Sequence, residues 1–402
     1  MRRRRVAGLL LGVLVLTLLA WAPAAAAASK CLIINDALNA SYRSLQPAQD
    51  AAAAGATLWV RGSCVGTTTI TKDLTLTGQQ PPGFTAPTLD GAGQGSVLTI
   101  SGAVTVTINT LTIRGGNAER GGGILNDGGT NDGGTVTLNH TTVSDNTAAW
   151  GGGIANNGPL TLNDSTVSDN TAELGGGGIF NADRGGSIFE AELGRVTLNG
   201  SSISGNDAPQ GGGIFNEGGA VTLNDTSSIS SNTATWGGGI YTIQFGSVTL
   251  NDTSRISDNT ADVGGGIYSD LYGTVTLNDT SSITRNTARS FGGGIDNSRA
   301  NLNLNGSSSI SDNTAGSGGG GIANNGGVTL NDTSSITRNH AEGGFGVGGG
   351  IYNNRIVILN NSSSISDNTA EVNGGGIFNT PGGSVGLNGG TVTGNIPNDI
   401  YP

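Results

Sequence analysis

The chain has 402 residues, of which 72 are glycine, 12% are charged and 4% are aromatic, with a formal net charge of −11. Glycine without a strict three-residue period excludes collagen, and 35% hydrophobic residues is enough for a packed core. The acid excess argues against nucleic acid or an anionic membrane surface as partner, since both would repel it.

The first segment reads as a leader. Arg2 to Arg5 form a basic stretch, Val6 to Ala20 is an apolar run, and the alanines at 24–28 offer small side chains to a signal peptidase. This predicts a signal peptide over 1–28, hence export to the medium or the cell surface. The run is short for a span of about 20 residues, so no membrane span is expected after cleavage. Two cysteines, Cys31 and Cys64, lie beyond the leader. An oxidising compartment favours a disulfide between them, two free thiols being the alternative.

Residues 29–116 read as an N-terminal cap with irregular first coils. Ser44 to Ala54 predicts a short helix, with Ser44 as N-cap and Gly55 as stop, laying Leu45 and alanines over an open core. Short β-type runs follow at Thr57–Val60, Thr69–Leu76 and Val97–Ile100.

Residues 117–402 repeat one sentence ten times: GGGI-x-N, then VTLN, then S-x-I-S-x-N-T-A. In one unit the β-type runs are Gly239–Tyr241, Val248–Leu250 and Arg255–Ser257, with apolar residues alternating with polar ones or Gly. Gly and Asn separate the runs and suit the sharp turns. Three strands per turn, stacked coil on coil, describe an all-β, right-handed parallel β-helix of about ten coils. Ile240, Val248, Leu250 and Ile256 are the expected inward residues. Each contributes about 1.5–3 kcal/mol only once a neighbouring coil covers it, so no repeat should fold alone.

The stretch Leu45-Gln-Pro-Ala-Gln-Asp-Ala-Ala, with Gly55-Ala-Thr-Leu-Trp-Val and Leu74-Thr-Leu-Thr-Gly, resembles the N-terminal region of pectin-lyase-like β-helix proteins. The GGGI and [VI]-S-x-N-T-A elements resemble repeats of chlamydial polymorphic outer-membrane proteins and related bacterial surface proteins, with Gly for Ala and Ile or Val for Phe. The resemblance implies the β-helix fold and leaves function open, because lyases, hydrolases, adhesins and structural proteins share it.

Signals for chemistry are sparse. His140 and His340 replace repeat residues far apart in coil number and have no nucleophile motif beside them. Arg285 and Arg338 alternate with Asp258, Asp312 and Asp367 at one repeat position, which reads as a surface ion-pair ladder before it reads as catalysis. Asp225, Asp252 and Asp279 recur after the VTLN asparagine, with Asp164 and Asp332 at the same position. Like charges about 4.8 Å apart repel by about 0.9 kcal/mol even in water. The side chains are expected either to fan into solvent or to bridge Ca²⁺. Two asparagine columns, one after VTL and one before TA, are expected to stack as side-chain ladders.

Phe180, Phe215, Tyr241, Tyr268, Tyr352 and Phe378 each follow the inward Ile of GGGI, so they point outward as a stripe fit to stack on sugar rings or partner side chains. An outward column from Thr137 to Thr276 raises ice binding, which ordinary β-propensity explains as well. Insertions at Asn181–Arg195, Asn126–Gly134 and Gly343–Val347 are where solenoids place function. The expectation is an exported, non-catalytic scaffold for adhesion or binding, its partner an extracellular polysaccharide or cell-surface protein, with no cofactor required unless Ca²⁺ bridges the Asp column. The alternative is a polysaccharide lyase or glycoside hydrolase.

Overall fold

A computed structural model describes residues 30–128, 133–182 and 194–402; the leader at 1–28 lies outside the described residues. The chain winds as a right-handed parallel β-solenoid of about 12 turns, slightly more than the ten regular repeats, because the irregular N-terminal segment also coils.

Each regular coil crosses four sheets, not three. In one coil the strands are Ile240–Ile243, Ser247–Leu250, Arg255–Ser257 and Thr260–Val263. The fourth is built from the N-T-A segment, whose only buried apolar residue is a small alanine such as Ala261, too weak a signal to alternate visibly. The four sheets, here called the GGGI, VTLN, SIS and NTA sheets, hold 13, 15, 13 and 10 strands.

Register is maintained residue for residue. Ile240 pairs with Ile267, Val248 with Val275, Leu250 with Leu277 and Ile256 with Ile283. All eight are fully buried in one continuous apolar core, the inward set read from the repeat. Like stacks on like, so each coil presents the next with a lid of matching shape.

The corners differ from the expectation. The ladder asparagines are not the residues with left-handed backbone: that role falls to Asp252 after Asn251, and to Asp258 before Asn259, with φ of 57° and 58°. Aspartate tolerates this conformation through local hydrogen bonding, which frees the asparagine side chains to stack. The GGG corner needs glycine for a second reason. A Cβ on Gly266 would lie 2.6 Å from the Gly294 carbonyl oxygen of the next coil.

Three asparagine ladders run along the rod, one more than expected. In the VTLN ladder the amide of Asn251 donates back to Asn224 Oδ1 and that of Asn278 to Asn251 Oδ1, both at 2.9 Å. In the NTA ladder Asn259 donates forward to Asn286 Oδ1 at 2.9 Å, and its backbone N–H reaches the same oxygen at 3.0 Å. The third ladder uses the Asn of GGGI-x-N: Asn126, Asn156, Asn181 and Asn216 donate in succession, ending on Thr242 Oγ1. Period-2 geometry already implied it, since a residue two beyond an inward Ile is itself inward.

The N-terminal end is closed. Strand Leu32–Asn35 runs antiparallel to Ala40–Tyr42 and to Ala56–Arg61, breaking the parallel edge. The helix spans Leu45–Ala51, shorter than expected, and ends at Ala52 rather than at Gly55. Ser44 precedes it in extended conformation without a side-chain capping bond. Leu45, Ala48 and Ala52 join the core from above, as the sequence predicted. Cys31 and Cys64 form a disulfide across a separation of 33 residues, fastening this cap to the first SIS strand. Among the described residues no helix is long and apolar enough to cross a membrane.

Candidate functional site: an aromatic groove on the GGGI face

The residue after each GGGI isoleucine lies outside the core, and the parallel register puts Phe180, Phe215, Tyr241 and Tyr268 in one column. Their ring centroids are 5.5, 5.0 and 5.0 Å apart in that order. A second run comprises Tyr352, Phe378 and Tyr401, at 5.7 and 5.3 Å with rings nearly parallel. Asp296 and Ala323 occupy the positions between the two runs.

The column is not the open stripe that alternation alone implied. Phe180 and Phe215 are 4% and 3% exposed, packed with Ala155 and Ala182 in a second apolar cluster outside the main core. The cover comes from the NTA strands, whose ends turn over the GGGI sheet. Trp150 sits 5.0 Å from Phe180 and 5.8 Å from Phe215. Gly175 makes that contact possible, since a Cβ there would lie 2.7 Å from Phe215 and 3.0 Å from Trp150. Tyr241, Tyr268, Tyr352 and Phe378 remain half-buried. Burial, with Tyr268 and Asp270 nearby, pushes the Tyr241 hydroxyl up to about 12, so it stays a hydrogen-bond donor at any physiological pH.

At the N-terminal end of the column a groove of about 430 Å³ is lined by Arg120, Trp150, Phe180, Gln210, Phe215 and Glu217. The Arg120 guanidinium lies 5.3 Å from the Phe180 ring centre, and its buried Nε has no hydrogen-bond partner. Gln244 donates to Glu217 Oε1 at 3.1 Å from the next coil. With Phe180 and Phe215 buried beneath it, half-buried Trp150 is the ring the groove can offer to the face of a sugar, and the cation, amide and carboxylate at the rim can bond its hydroxyls. Acid–base hydrolysis needs two carboxylates about 5–9.5 Å apart, and Glu217 is the one carboxylate among the lining residues.

The remaining candidates separate. Asp225, Asp252 and Asp279 stack in register, but their carboxylates neither fan out nor converge. The Asp225 N–H donates to Asp252 Oδ2 at 2.9 Å, and the Asp252 N–H to Asp279 Oδ2 at 3.0 Å. Charge-assisted bonds to backbone N–H thus offset the repulsion within the ladder. Among the described residues no group of three or more His, Cys, Asp or Glu is placed to hold a metal ion.

The alternating column resolves into pairs. Arg285 grips Asp258 and Arg338 grips Asp312, each through two bonds of 2.8–2.9 Å that hold the carboxyls below their ordinary range. His140 lies 4.0 Å from Asp164; His340 contacts Thr369 and stands 3.9 and 3.8 Å from Glu342 and Glu371. The Thr column from Thr137 to Thr276 lies half-buried on the outer VTLN face. In the loop at 343–347, Phe345 is fully presented to solvent. Asp183, Arg184, Glu190 and Glu192 of the longest insertion lie outside the described residues.

No family model, curated protein or solved structure matches the chain.

Proposed function

We propose that the protein is an exported, non-catalytic β-helix scaffold that binds carbohydrate at the cell exterior, using the aromatic groove at Trp150, Phe180 and Phe215. The observation that carries the reading is that groove, apolar on its wall and ringed by Arg120, Gln210 and Glu217. A rod of rigid, in-register coils holds such a site without loop reorganisation, so little entropy is lost on binding. The likeness of the early strands to pectin-lyase-like proteins, and of the repeats to chlamydial surface proteins, supports an extracellular role. The acid excess fits a neutral ligand, or one whose charge is met locally, rather than a polyanion held over the whole surface.

A lyase or hydrolase of the pectin-lyase-like fold is the competing reading, and the single carboxylate in the groove disfavours it. The deciding experiment incubates the protein with a polysaccharide panel. Retention is scored by affinity electrophoresis, and turnover by unsaturated-product absorbance and reducing ends. Binding without turnover, lost in Trp150→Ala, supports the scaffold; robust turnover reverses it.

A further inference from the structure

A second surface lies on the turns joining the GGGI and VTLN sheets. In two consecutive coils these turns carry Gln244-Phe245-Gly246 and Leu271-Tyr272-Gly273. Residues 244, 245, 271 and 272 have φ of 56°, 65°, 54° and 64°. Two successive left-handed residues are the province of Gly and Asn, and any other side chain there is strained. The fold does not demand it. The preceding coil joins the same two sheets through a shorter turn whose one left-handed residue is Gly218, and the later turns at 298–300 and 325–326 carry no left-handed residue. Strain held where relief is available points to function.

What the strain achieves is display. Phe245 and Tyr272 are 59% and 61% exposed, and their rings stack at 5.8 Å with 21° between planes, a flat platform across two coils. Beyond Tyr272 the surface drops into a groove of about 480 Å³, lined by Tyr272, Arg299, Asn301, Asn325, Gly326 and Arg355 among others. Between the two arginines the coils approach closely at Gly326, where a Cβ would collide with the Ala300 carbonyl oxygen. Neither arginine makes a side-chain ion pair among the described residues, although Arg114, Arg285, Arg289 and Arg338 all do. No carboxylate lines the groove. In a chain with 29 acidic and 18 basic residues, two unpaired arginines facing one cavity is an arrangement that an anionic ligand would complete.

We propose that this edge binds an acidic glycan, with Phe245 and Tyr272 stacking on sugar rings while Arg299 and Arg355 hold carboxylate or sulfate groups. The arginines belong to coils two steps apart, so they repeat at roughly 10 Å along the rod. One coil step is close to one sugar unit of an extended chain, so the spacing selects a glycan charged on every second residue. The site shares no residue with the aromatic groove and stands or falls independently of it.

The test measures titration calorimetry of the full chain with a hyaluronan hexasaccharide and with its carboxyl-reduced form, at 50 and 500 mM NaCl. The expected result is binding of the acidic form at least tenfold tighter, a preference that fades at high salt. The double variant R299A/R355A should lose the preference but keep its melting temperature. The double variant F245G/Y272G should weaken binding of both forms and melt higher, because glycine relieves the turn. Trp150→Ala, in the other groove, should change neither. No binding of the acidic hexasaccharide, full preference in R299A/R355A, or loss in Trp150→Ala alone would each overturn the proposal.

Discussion

The side-chain amide of Asn395 donates to Asp399 Oδ1 at 2.9 Å, and the backbone N–H of Asn395 reaches the same oxygen at 2.9 Å. An aspartate from the following bend therefore occupies the place of the next asparagine in a ladder that begins at Asn146. Asp399→Ala leaves the Asn395 backbone N–H unmatched, while the side-chain amide keeps the Ile365 and Thr393 carbonyl oxygens, at a cost of about 1–3 kcal/mol confined to this coil. Amide hydrogen exchange should accelerate at residues 391–401 and stay unchanged upstream. Asp399→Asn keeps the acceptor and should behave as wild type.

Two ladders of the same chemistry should differ in energetic weight. Asn286 is fully buried, and its Oδ1 accepts both the side-chain amide and the backbone N–H of Asn259. Asn286→Ala strands those donors away from water and should cost several kcal/mol. Asn251 is half-buried, so water can replace it, and Asn251→Ala should cost about 1 kcal/mol. Urea unfolding of the two variants checks the ratio; equal effects would refute the burial argument.

Asp296 interrupts the aromatic column, and burial, reinforced by Asp270, pushes its carboxyl up to about 7. In the unfolded chain an aspartate titrates near about 3.9. Between those values the folded state holds the proton more tightly, so this group's contribution to stability is full below about pH 4 and is lost as pH rises towards about 7. The full difference is about 4 kcal/mol from this one group. Asp296→Asn should flatten that stretch of the stability–pH curve, measured by thermal melts from pH 4 to 8.

The disulfide between Cys31 and Cys64 closes a 33-residue loop around the N-terminal cap. Chain-entropy arguments give it about 3–4 kcal/mol. Reduction, or Cys64→Ser, should loosen the cap helix Leu45–Ala51 and expose the first coils. Proteolysis near residues 43–55 should then precede any cleavage in the regular repeats.

The repeat alone determined the solenoid and its core. Ile240, Val248, Leu250 and Ile256 alternate with polar neighbours over a fixed period, and a coil with one apolar face has nowhere to bury it except against its copy. The cap helix and the cysteine pair were legible for the same local reason: a small amphipathic segment and two thiols precede the first coil. What tertiary structure decided is where outward residues end up. Alternation places Phe180 and Phe215 outside the core, but only the fold-over of Trp150, allowed by Gly175, turns a stripe into a covered cluster with a groove beside it. The Asp225–Asp252–Asp279 repulsion was visible in the sequence, whereas its resolution by backbone N–H bonds depends on carboxylate orientation. The platform of Phe245 and Tyr272 follows no repeat rule at all. Its signal is a left-handed backbone at residues that resist it, and dihedral angles are properties of the folded chain alone.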